Sequence, residues 1–208
     1  MTTAAYSAIS SYSRVQILHT LQKRARQTVT ELRDATGLHA NTVREHLQRL
    51  IDGGYIVAEA EHRTTRGRPR MLYSAASGAR AVSPIAQRKA REAAQRGDLM
   101  RRIMPWTDAG DHSLPIDAVH QLDALVDDLV DAGFDPGLDE VALTVDISPC
   151  PNAAAEPEHR ETLCSVHLTL MDGVLAHAGG PLRVDAMAAS CDPRQCIVQL
   201  MLAGKAAR

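Results

Sequence analysis

Four cysteines carry the most reactive chemistry in this chain, and all of them follow position 149: Cys150, Cys164, Cys191 and Cys196. Cys150 precedes a proline, Cys164 stands three residues before His167, and Cys191-Asp-Pro-Arg-Gln-Cys196 closes a short loop. Thiolates and imidazole are the ligands of choice for zinc and for iron–sulfur centres. On a helix, Cys164 and His167 would share one face and point toward a common centre. A single cysteine beside Leu168, Met171 and Leu175 is an ordinary core residue. Four thiols gathered in one terminal stretch point instead to a shared site. Their spacing matches no common zinc pattern, because Cys150 and Cys164 are 14 apart. This leaves three chemistries open: a zinc assembled by the fold beside a small-molecule effector site, an iron–sulfur cluster (4Fe-4S or 2Fe-2S), or a thiol–disulfide switch between Cys191 and Cys196.

A second set of residues has polar rather than redox chemistry. Residues 1–104 hold 18 Lys and Arg against 8 Asp and Glu, whereas the rest of the chain holds 5 against 17. One half attracts phosphates and the other repels them, a split that points to nucleic acid. With aromatics at 3%, base stacking has few platforms, so reading must come from polar side chains. The chain shows no Gly-rich phosphate loop, no paired-histidine zinc motif and no nucleophile elbow, and the reading is that it is not an enzyme. No secretory leader and no apolar run near the ~18 residues of a membrane span are visible, so the expected compartment is the cytosol, with no membrane partner.

The elements that must position these residues are legible as hydrophobic periods and caps. Val15, Ile17, Leu18 and Leu21 predict a helix over residues 14–24. Thr28-Val-Thr-Glu31 has the form of a capping box opening a second helix, which Gly37 ends. A third helix from about Ala40 buries Val43, Leu47, Leu50 and Ile51. It turns outward Asn41, Thr42, Glu45, Gln48 and Arg49, with Arg44 and His46 at its edges. Such hydrogen-bonding side chains read base edges or grip phosphates in a major groove. Two strands, 55–60 and 71–75, flank a basic loop in which Arg66 and Arg68 suit a minor groove, with Arg70 as a further DNA-binding candidate. This is the plan of a winged helix-turn-helix. A connecting helix over 83–102, an amphipathic helix over 115–132, a strand over 140–147, a long helix over 157–178 and strands at 182–187 and 196–202 complete the reading.

The predicted class is therefore α+β, a winged helix-turn-helix followed by a small α/β sensor domain with antiparallel strands packed on a long helix. The expected domains are 1–76 for DNA binding, 77–114 for a connecting and dimerising helix, and 115–208 for the sensor. If the last strand pairs beside the first strand of the sensor, Cys150 and Cys196 approach one centre.

The segments Thr42-Val-Arg-Glu-His-Leu47, Gly54-Tyr55 and Gly67-Arg-Pro-Arg-Met-Leu-Tyr73 resemble the winged-helix regulators called ArsR-like, over about the first 76 residues. The resemblance implies a homodimer on double-stranded DNA with two-fold related half-sites, ~34 Å or a multiple apart. Gly133-Phe-Asp-Pro136, Cys150-Pro151, Cys164 with His167, Leu170, Gly173 and Leu175, and Asp192-Pro-Arg-Gln-Cys196 resemble the sensor half of the SufR-like iron–sulfur repressors, over residues 115–202. That resemblance implies Cys150, Cys164 and Cys196 as cluster ligands, with Cys191 or His167 as candidates for a fourth, and promoters of cluster-assembly genes as targets. Asn152 departs from the pattern, standing where an aromatic is expected after Cys-Pro. The mechanism expected from this reading is that cluster occupancy orders the long helix and thereby sets the separation of the two wings in a dimer.

Overall fold

A computed structural model describes residues 11–62, 69–76, 83–104, 114–150, 155–188, 192 and 194–203. The chain divides into two compact units, Met1–Ser83 with Glu156–Leu170, and Pro84–Ala155 with Met171–Arg208.

In the first unit, helices α1 (Tyr12–Lys23), α2 (Val29–Thr36) and α3 (Ala40–Asp52) precede an antiparallel hairpin of β1 (Ile56–Ala60) and β2 (Met71–Ala75). The capping box forms as the sequence predicts. The Thr28 hydroxyl accepts the Glu31 N–H, and the Glu31 carboxylate accepts the Thr28 N–H at 2.8 Å. Gly37 ends α2 in the left-handed conformation, φ 71°, which its missing Cβ permits. Gln27 is buried, and its side-chain amide donates to the Thr20 and Arg24 carbonyls at the end of α1. Its backbone meanwhile bridges to Tyr73, adding the approach to α2 as a third strand segment beside the hairpin.

The core of this unit is aliphatic: Ile17, Leu18, Leu21, Leu32, Val43, Leu47, Leu50 and Ile56 are at most 2% exposed. It is completed by a segment distant in sequence. Helix α6 (Pro157–Ala178) places Val166 in this core with Leu163 and Leu170 packed against it, and the His159 ring lies 4.1 Å from that of Tyr12.

The second unit contains α4 (Pro84–Ile103), α5 (Ile116–Asp131), the C-terminal part of α6 and a four-stranded antiparallel sheet. The strands are β3 (Gly137–Asp139), β4 (Thr144–Asp146), β5 (Leu182–Met187) and β6 (Ile197–Leu202), in the order β3-β4-β6-β5. Gln121, fully buried on α5, donates to the Leu175 and Leu182 carbonyls and accepts the Leu182 N–H at 2.7 Å, fixing the entry to β5.

One expected element is corrected. Residues 140–147 do not form one strand; a tight turn separates β3 from β4. The cause is local, because the Asp139 carboxylate accepts the N–H groups of Val141 and Ala142, and Leu143 takes a positive φ of 53°. Val141 is left 96% exposed at the turn. No helix among the described residues is long and apolar enough to cross a membrane.

Candidate nucleic-acid interface

Helix α3 is held by one apolar face, Val43, Leu47 and Leu50, and this decides what its other face presents. Asn41, Arg44, Glu45, Gln48 and Arg49 are exposed, and Thr42 and His46 are half-buried. The polar face is partly pre-ordered. Arg44 donates to the Asn41 side-chain carbonyl at 2.8 Å, and the Gln48 amide donates to Asp52 at 2.8 Å. Burial, with Arg14 and Arg49 nearby, holds the His46 imidazole below its ordinary pKa, so it is neutral at pH 7.

Arg70 is exposed just before β2. Arg66 and Arg68, the expected wing-tip residues, lie outside the described residues.

Between α2, Arg44 of α3 and the hairpin lies an open recess of about 1110 Å³, with Arg26, Thr28, Thr30, Arg44, His62 and Arg70 on its walls. Arg26 was not among the residues singled out from the sequence. It occupies the turn before α2 with φ 61°, its N–H donates to the Ser74 hydroxyl, and its guanidinium pairs with Glu59 on β1. The only signal for it in the sequence is its place in the basic run Lys23-Arg-Ala-Arg26. Glu31 also lines the recess, and the Thr28 N–H and hydroxyl, with Arg24, keep its carboxyl below the usual range. Three guanidinium groups around the start of a helix make a surface suited to phosphate oxygens.

The candidate metal ligands fall in different parts of the chain. Beyond β4 the backbone runs on beside residues 194–196: the Ile147 N–H donates to the Cys196 carbonyl at 2.9 Å, the Cys196 N–H to the Ser148 hydroxyl at 3.0 Å, and the Cys150 N–H to the Arg194 carbonyl at 2.7 Å. Pairing of β4 with β6 thus brings the Cys150 and Cys196 segments side by side, Cys196 buried and Cys150 half-buried. Cys164 is half-buried on α6, within the part that belongs to the first unit. Desolvation lowers His167 to a pKa of about 4, so its ring is neutral at pH 7. Cys191 lies outside the described residues. Cys150, Cys164 and Cys196 are not disulfide-bonded. Among the described residues, no three His, Cys, Asp or Glu side chains are grouped so as to hold a metal ion.

No curated protein and no solved structure matches the chain. Residues 11–57, which span α1, α2, α3 and the start of β1, match the family described as winged helix-turn-helix DNA-binding. With the hairpin completing that arrangement, the first unit carries a winged helix-turn-helix DNA-binding domain, and the chain is a DNA-binding transcriptional regulator.

Proposed function

We propose that this regulator acts as a cytosolic homodimer on two-fold related sites in double-stranded DNA, and that an iron–sulfur cluster controls its promoter binding. Cys150, Cys164 and Cys196 are the proposed ligands, with Cys191 or His167 as the fourth. The reading of DNA is assigned to Asn41, Thr42, Arg44, Glu45, Gln48 and Arg49 on α3, and the grip on phosphates to Arg26, Arg70 and the wing arginines Arg66 and Arg68.

The observation that carries the cluster reading is the pairing that sets the Cys150 and Cys196 segments on adjacent backbones. The chemistry of the donor set agrees with it, since soft thiolates from separate segments are the usual anchors of iron–sulfur centres. Such a centre, when bound, supplies a response to iron supply and oxidation. The protein's own part is to hold Cys196 in a dry environment and to keep His167 unprotonated at neutral pH.

Anaerobic purification with iron, sulfide and zinc analysis tests this. The full chain is expected to absorb visible light and to carry iron and sulfide. Cys150→Ser, Cys164→Ser and Cys196→Ser are each expected to lose both, and Cys191→Ser and His167→Ala decide the fourth position. A colourless protein carrying zinc, or none of the three, refutes the cluster.

A further inference from the structure

The connection from α1 to α2 is tied down by a buried side chain. Gln27 is 3% exposed, and its amide donates to the Thr20 carbonyl at 3.0 Å and to the Arg24 carbonyl at 2.7 Å. The Arg24 N–H also donates to the Thr20 carbonyl, so the amide meets that oxygen on its second lone pair. An amide is costly to bury unless its donors are matched, and here both are. The backbone of the same residue exchanges two hydrogen bonds with Tyr73 of β2, at 3.0 and 2.8 Å. Gln27 therefore joins the end of α1 to the hairpin at one point.

Arg26 lies inside the loop that this amide closes. The bond from Gln27 to the Arg24 carbonyl encloses Ala25 and Arg26, and Arg26 takes φ 61° there. That left-handed conformation is uncommon for a residue with a Cβ and persists only where its surroundings impose it. The Arg26 N–H in turn donates to the Ser74 hydroxyl of β2 at 3.0 Å. Held from both sides, Arg26 carries its exposed guanidinium onto the wall of the recess that Arg44 and Arg70 also line. An arginine on a free turn would have to be ordered at the moment of binding, and that entropy would be subtracted from the contact. Gln27, buried as it is, cannot meet a duplex itself.

We propose that Gln27 is a positioning residue for DNA binding: its amide holds Arg26 in the left-handed turn, so that the Arg26 guanidinium meets the same phosphate track as Arg44 and Arg70. The inference rests on the reading that these arginines grip phosphates, and adds to it a residue that never touches the DNA.

Titration of the full chain with a mixed-sequence DNA duplex at several salt concentrations tests it. Gln27→Met keeps the length of the side chain and removes both donors. It is expected to weaken binding roughly 10-fold at low salt and to flatten the slope of log affinity against log salt by about 0.9, the value for one lost phosphate contact. Arg26→Ala is expected to do the same, and the double variant Arg26→Ala, Gln27→Met to bind no more than about 2-fold weaker than Arg26→Ala alone. A merely structural loss would instead multiply the two effects and leave the slope unchanged. Gln27→Glu gives a second readout. Its ionised carboxylate cannot donate, whereas the protonated acid can donate to one of the two carbonyls. Its affinity, taken as a ratio to wild type at the same pH, is therefore expected to recover several-fold between about pH 8 and about pH 5.5.

Circular dichroism checks that each variant keeps its helices; should Gln27→Met lose them, the pH response of Gln27→Glu decides. A folded Gln27→Met with wild-type affinity and slope beside a weakened Arg26→Ala overturns this role alone. So does a double variant weakened by the product of the single effects, or a Gln27→Glu ratio that is the same at both pH values. An Arg26→Ala protein with the wild-type slope overturns the phosphate reading, and this role with it.

Discussion

Asp128 on α5 is a carboxyl that the fold pushes toward its protonated form. Desolvation raises its pKa to about 6 from the usual 3.8, with Asp131 and Asp127 adding to the rise and Lys89 opposing it. Because the folded state favours the protonated form, Asp128 contributes stability that is complete below about pH 3.8 and lost as pH rises through about 6. Asp128→Asn is therefore expected to be more stable than wild type at pH 7.5, by on the order of 1–2 kcal/mol, and nearly equal to it at pH 4. Urea unfolding of both proteins across this range measures the difference, and a gap that does not change with pH would refute the assignment. Glu31 behaves in the opposite sense. Its lowered pKa contributes stability above its usual value near 4.5, and this is lost on acidification. Thr28→Ala removes the hydroxyl that accepts the Glu31 N–H and donates to its carboxylate, leaves the backbone N–H bond to that carboxylate in place, and is expected to cost about 1 kcal/mol.

At the scale of elements, the turn from α6 into β5 depends on one buried amide. Gly180 lies where a Cβ would come within 2.7 Å of the Asp117 carbonyl oxygen and would also strike Gln121 Oε1. Gly180→Ala is expected to destabilise the second unit by about 1–3 kcal/mol. Gln121→Leu, which leaves the Leu182 N–H without its amide acceptor, is expected to cost a similar amount. Both are read by denaturant melts. These dependencies were invisible in the sequence, where Gln121 is a polar residue inside an apolar period and nothing pairs it with Leu182. What was legible was local: the capping box at Thr28, the stop at Gly37, the apolar face of α3 and the bounds of α6 all follow from neighbouring residues. The β3–β4 turn was missed because Val141, Leu143 and Val145 read as strand until the Asp139 carboxylate captures two backbone N–H groups. The helix α6 was found, but its allegiance was not. Its apolar band shifts round the axis by roughly one residue between Leu163, Val166 and Leu170 and the later Met171, Val174 and Leu175, and only packing assigns the first set to the DNA-binding core.

For the whole molecule, the excess of cations before residue 105 and of anions after it sets how binding should respond to salt. Each phosphate neutralised by a guanidinium releases condensed counterions, so the slope of log affinity against log salt falls by about 0.9 for every contact removed. Arg26, Arg44 and Arg70 share one recess. If they act together on one stretch of backbone, Arg26→Ala, Arg44→Ala and Arg70→Ala should each flatten the slope by nearly one unit, on specific and unrelated duplexes alike. Arg26 is the sharpest case. Its pairing with Glu59 already satisfies part of its guanidinium, so Glu59→Gln should release it and strengthen binding, most visibly at low salt. Asn41 and Gln48 should behave differently, their removal eroding the preference for the correct operator while leaving the salt slope unchanged. Titrations of each variant at several salt concentrations separate the two groups. A salt slope unmoved by all three arginine changes would place the phosphate contacts elsewhere on the basic half of the chain.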